Sequence, residues 1–117
     1  MEKIVNISGK DYHMKSSAFT QFAYKNHTGR SFLSDVQKLS GITVDDLTNV
    51  DGLIELLLDV SYVMIKEADP SKFASEEDFF KSIDSLFDEP AWVEQVISLA
   101  ITPLSGNLQK NIEFPSK

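Results

Sequence analysis

Apolar residues recur with a helical period along 53–68, LIELLLDVSYVMIKEA. Leu53, Leu57, Val60 and Met64 form one stripe, Ile54, Leu58 and Ile65 the next, and Leu56 and Val63 widen the surface. The polar stripe is narrow: Glu55, Asp59, Tyr62 and Lys66. A helix apolar around most of its circumference is stable in water only when other elements surround it. Such a segment rises about 24 Å, enough to cross a small domain and short of a comfortable bilayer span. The pattern therefore predicts a central buried helix and argues against a membrane segment.

Either side of it the pattern changes period. In residues 2–15, Ile4, Val5 and Ile7 are strand formers, Ser8-Gly9-Lys10 supplies a turn, and Tyr12 and Met14 alternate with Asp11, His13 and Lys15, which predicts a β-hairpin. A two-stranded hairpin is marginal alone, so it must pack on helices or pair with another strand. A first helix is expected over about Ser17 to His27, capped by Ser16 or Ser17, with Phe19, Phe22, Ala23 and Asn26 on one face and Gly29 as its stop. Ser31 caps a short second helix whose Phe32, Val36 and Leu39 face inward, with Gly41 ending it. Residues 42–51 carry no decisive period, and their Thr, Val, Asp and Asn content suits a loop or short turn leading into the central helix.

Asp69-Pro70 stops the central helix, because the residue before proline resists helical geometry. Ser75 followed by Glu76-Glu77-Asp78 resembles a capping box opening a fourth helix with Phe79, Phe80, Ile83, Leu86 and Phe87. Pro90 suits the start of the last helix, whose apolar face is Trp92, Val93, Val96, Ile97 and Ala100. From Ser105 the composition turns polar and reads as a loose tail. The expected fold is α+β and predominantly α-helical: an N-terminal β-hairpin, then about five helices packed around a central buried helix. Residues 1–104 form a single globular domain and 105–117 a polar, flexible tail.

Composition refines this picture. At 117 residues the chain is near the commonest domain size. It has no cysteine, which rules out disulfides and thiolate metal sites and fits a reducing cytoplasm. The start of the chain has no apolar signal core. Net charge is −7, and it is unevenly placed. Residues 1–41 carry six basic and three acidic side chains, whereas 42–117 carry five and fifteen. A surface this acidic repels phosphate backbones, which argues against nucleic acid as a partner. Two readings of the asymmetry stay open: a solvated surface, or head-to-tail self-association into a homo-oligomer.

Chemistry is sparse. His13 and His27 lie on different elements without a metal-binding spacing, and a dipole interaction at a helix C-terminus accounts for His27. Asp45-Asp46, Glu76-Glu77-Asp78 and Asp88-Glu89 each sit at a helix start, where capping explains them. Thr28-Gly29-Arg30-Ser31 lacks the glycines and Lys-Ser ending of a phosphate loop. No catalytic, cofactor-binding or metal-ligating residue is indicated, so the expectation is a non-enzymatic protein. The partner-contact candidates are Arg30, the only arginine, whose guanidinium suits an acidic partner, and the adjacent Phe79 and Phe80, one of which a helix leaves partly exposed.

The order of these elements carries a resemblance. The hairpin ISGKDYHMK, the turn-linked helices FAYKNHTGRSFLSDVQKL, the central helix running into MIKEADP and the acidic-aromatic FASEEDFFKSIDSL together resemble the tail assembly chaperones of long-tailed bacteriophages and prophages of Gram-positive bacteria. The likeness spans about Ile4 to Leu104 and is one of organisation, with no active-site residues to carry over. It implies a role in virion morphogenesis in the host bacterial cytoplasm: binding the tape measure protein, keeping it soluble and recruiting tail tube protein around it. It also implies that the polar end is where a frameshifted, longer form would join. The alternative is a small acidic adaptor, inhibitor or immunity-type binding protein from a mobile element.

Overall fold

The computed structural model describes residues 1–113, with side chains described except at 44 and 105–113. Two strands, β1 (Glu2–Ile7) and β2 (Lys10–Lys15), precede six helices: α1 (Ala18–Thr28), α2 (Phe32–Leu39), α3 (Val44–Asn49), α4 (Leu53–Ala68), α5 (Glu76–Lys81) and α6 (Ala91–Glu113). The fold is α+β and mostly helical, as the pattern predicts.

The hairpin turns through Ser8 and Gly9, at φ +54° and +85°. A two-residue loop with both central residues left-handed matches the twist of the flanking strands. The register pairs Ile7 with Lys10 and Val5 with Tyr12, so Val5, Ile7, Tyr12 and Met14 all fall on one face and are buried. That face lies on α4 and α6. The opposite face leaves Ile4 exposed.

Helix α4 has the bounds expected and is the hub: β2 and the other five helices all pack on it. Leu57, Val60, Met64 and Ile65 are at most 1% exposed, and Ser61 satisfies its buried hydroxyl on the Leu57 carbonyl at 2.8 Å. The polar stripe is drawn inward too. Tyr62 is buried against Phe79 and His27, Lys66 donates to the carbonyls of Pro70 and Phe73, and only Glu55 is left fully in solvent.

Three expectations need correction. The 42–51 segment is not all loop: α3 forms within it, held by a reciprocal capping box between Thr43 and Asp46, with Leu47 buried. The fourth helix is short. Ser82 caps α5, and residues 82–90 run as an irregular strap in which Ile83, Leu86 and Phe87 are half-buried. The strap is tied to the hairpin instead of continuing a helix: Lys10 Nζ donates to the Ser82 carbonyl at 2.6 Å, the Tyr12 and Ser82 hydroxyls lie 2.7 Å apart, and Ser85 N–H donates to Ser8 Oγ at 3.1 Å.

The third concerns α1, whose buried residues are Thr20 and Tyr24. Phe19 and Phe22 are 57% and 61% exposed. Helix α6 buries Trp92, Val93, Val96, Leu99 and Ala100 and continues past the expected boundary at 104, with Pro103 inside it. The expectation of a loose tail therefore falls on residues whose side chains are not described, and 114–117 lie outside the described residues.

Candidate interaction surface

Gly29, in the left-handed region at φ +78°, ends α1 and turns the chain so that Arg30 precedes the α2 cap Ser31. This geometry lays the guanidinium across α2 and α4, with the side chain still 44% exposed. Arg30 Nε donates to Asp35 Oδ2 at 2.8 Å, and its terminal nitrogen donates to Asp59 at 2.6 Å and to the Tyr24 hydroxyl at 3.1 Å. The Tyr24 hydroxyl in turn donates to Asp35 at 2.5 Å. Burial opposes ionisation of Asp35, which is 2% exposed, but the hydrogen bonds from Tyr24 and Arg30 outweigh it and hold the carboxyl below its ordinary range. The same bonds to Asp35 and Asp59 raise the arginine further, and burial with the Asp35 bond raises the Tyr24 phenol. Arg30 thus ties α1, α2 and α4 together through Nε and one terminal nitrogen, and its side chain stays partly exposed.

A second cluster adjoins it. Glu76, at the start of α5, points toward Asp59 and lies 3.0 Å from His27 Nε2. Its other oxygen has no partner. Burial first, then the neighbouring Asp59, push Glu76 up to about 7, with His27 opposing. Its neighbours Glu77 and Asp78 are exposed in the first turn of α5, Glu77 also pairing with Lys81 at 2.8 Å. The helix-start explanation does not cover Glu76. The cluster contains an acid and a base at the surface, with His27 exposed and Glu76 half-buried. No group of three or more His, Asp or Glu placed to hold a metal ion occurs among the described residues.

The two phenylalanines of α5 part company. Phe79 is fully buried, edge-on to Tyr12 at 5.6 Å and near Phe73 and Tyr62, whereas Phe80 is 38% exposed. Only Phe80 is available to a partner in this fold. The larger exposed apolar group is one that periodicity assigned to a helix face without separating inside from outside. The rings of Phe19 and Phe22 lie 5.8 Å apart on the outer side of α1. Their position follows from the start of the helix. Glu67, near the end of α4, accepts from Ser17 Oγ at 2.5 Å and from Thr20 Oγ1 at 2.6 Å. With Tyr24 also anchored inward, the rotation of α1 is set by polar bonds and its phenylalanines turn to solvent. No local sequence signal carries this, because Glu67 and Asp35 are remote in the chain.

A different surface lies where the α2–α3 link meets the start of α6. Ile42, Pro90, Ala91, Val93 and Ile97 form the apolar wall of an open groove of about 500 Å³, with Thr43 and Glu94 at its margin. Asp45 follows Thr43 in α3, and Asp88 and Glu89 directly precede Pro90. These carboxylates and Glu94 are exposed, and none has a basic side chain within 4 Å among the described residues.

Among the described residues no helix is long and apolar enough to cross a membrane. No protein-family model, no curated protein and no solved structure matches the chain.

Proposed function

We propose that this protein is a non-enzymatic binding protein that shields helical, aggregation-prone clients during assembly, in the manner of a phage tail assembly chaperone. The observation that carries this reading is the exposed Phe19–Phe22 pair. The fold buries Tyr24, Phe32, Tyr62, Phe79 and Trp92 yet holds these two rings outward through Glu67, and an apolar group kept at the surface by polar anchoring is available to an apolar partner. The organisation of hairpin, turn-linked helices, central helix and acidic-aromatic stretch supports the specific form. In it the client is a tape measure protein, tail tube subunits are recruited afterwards, and the work is done in the host bacterial cytoplasm. An amphipathic client helix would lie with its apolar stripe on such rings, and many copies along one client would add weak contacts into tight coating.

The test is to co-express the protein with a tape measure fragment that is insoluble alone and to measure the fraction that stays in the supernatant. The expected outcome is a several-fold gain that the Phe19→Ser/Phe22→Ser variant loses. Light scattering after size exclusion, over a concentration series, tests self-association alongside. A protein that neither self-associates nor holds the fragment in solution would end this reading. A tight one-to-one complex with a single basic protein would favour the adaptor or inhibitor class instead.

A further inference from the structure

We infer that the groove between the α2–α3 link and the start of α6 is a docking site for an amphipathic segment carrying lysine or arginine beside its apolar side chains. The inference rests on the reading of the chain as a binding protein for helical clients, and it names a second surface together with the chemistry of what occupies it.

The argument is one of shape and charge together. The wall of Ile42, Pro90, Val93 and Ile97 is apolar and the groove is open along its length, with a volume of about 500 Å³. Such an open space admits side chains projecting from a segment laid across it. Charge then selects the occupant. Glu94 borders the groove, Glu89 directly precedes the lining Pro90, and Asp88, Asp45 and Asp46 lie two or three residues from Pro90 and Thr43 in the chain. The starts of α3 and α6 oppose this with roughly half a positive charge each, about one unit against five carboxylates. Asp46 is partly committed to the Thr43 cap, but Asp45, Asp88, Glu89 and Glu94 are exposed and lack a basic partner within 4 Å among the described residues. A neutral apolar peptide would satisfy the wall and leave these carboxylates as they are. A basic amphipathic one satisfies both, and complementary charge also speeds its approach. Lys3, which adjoins Ala91 and Glu94, and Lys38, three residues before the lining Gly41 in the chain, supply two positive charges against the group.

The experiment uses the whole chain and two designed helical peptides with the same leucine stripe, one bearing lysine and one bearing glutamate on its polar face. Binding is read by anisotropy of the labelled peptide, and the site by backbone amide shifts in the protein. The lysine peptide is expected to bind, to shift Gly41, Thr43, Ala91 and Glu94, and to weaken several-fold as salt is raised. Ala91→Trp fills the groove without altering charge, and a loss of tenfold or more in that variant separates docking from general attraction to an acidic protein. Glu94→Lys, on an exposed helix position, is the second variant and should narrow the gap between the two peptides. Both variants are checked for an unchanged melting temperature.

Equal binding of the glutamate peptide would overturn the partner chemistry. So would shifts confined to Phe19 and Phe22, or full binding to Ala91→Trp. A mass that doubles with concentration and falls back in Ala91→Trp would assign the groove to a second copy and likewise overturn the proposal. Retained solubilisation of the tape measure fragment alongside a failed groove result would sink the docking site alone. Loss of solubilisation with intact groove binding would sink the chaperone reading.

Discussion

At Glu76 two demands oppose each other. A helix start favours an anion, whereas burial beside Asp59 disfavours one, and the second prevails, pushing the carboxyl up to about 7. In the unfolded chain the same group titrates near the ordinary carboxyl value, so the folded state holds an extra proton between the two. The stability this contributes is complete below the ordinary value and is lost as pH rises through about 7. The melting temperature should therefore fall between about pH 5 and 8, and Glu76→Gln should flatten that part of the profile; a wild-type curve already flat there would mean that neither burial nor Asp59 loads this carboxyl. Tyr24 gives a second test. Tyr24→Phe removes the phenol that serves Asp35 and Arg30 and should cost about 1–3 kcal/mol in urea unfolding, while Phe19→Ser should change stability by no more than about 0.5 kcal/mol. Period alone could not rank these residues, since an aromatic stripe at helical spacing looks like core until its partners are known. The partners of Arg30 were out of reach for the same reason: a lone arginine after a glycine reads as free to meet an acidic surface, and only the fold brings Asp35 and Asp59 to it.

Elements were legible in proportion to their length and apolar content. Helix α4 could be bounded because its stripes run through several turns and Asp69-Pro70 stops them. Helix α3 could not, because six residues carrying one buried leucine give no period, and its stability comes from the Thr43–Asp46 cap. In α5 the spacing of Phe79, Ile83 and Leu86 mimics a longer helix. The hairpin tip overrides it by binding Ser82 and Ser85, a tertiary pull that outweighs a local preference. The turn at the tip offers a clean measurement. Gly9 sits at φ +85° with nothing within 4 Å of where a Cβ would stand, so Gly9→Ala meets only backbone strain and should lose about 1 kcal/mol. A larger loss would mean that the strap, and not the turn, bears the change.

For the molecule as a whole, the decisive residue is Leu57, fully buried where the hub helix meets its neighbours. Leu57→Asp puts a charge with no partner there and should cost several kcal/mol, on the order of the entire stability of a domain this size; circular dichroism that stays helical in that variant would mean the buried face is misplaced. The surface was less legible than the core. The acidic bias of 42–117 was plain in the composition, but the apolar groove that Glu94 borders required the α2–α3 link to meet the start of α6. One detail of that region has an optical consequence. Trp92, the only tryptophan, is 1% exposed, and its indole N–H donates to the Leu86 carbonyl at 2.7 Å. All tryptophan emission from this protein therefore comes from a single indole pinned to the strap. Its spectrum should be blue-shifted in the native state and move to the red when residues 82–90 detach from α6. Set against far-ultraviolet dichroism, which follows the helices, that emission gives a separate clock for the strap, and any lag between the two signals during unfolding would time its release.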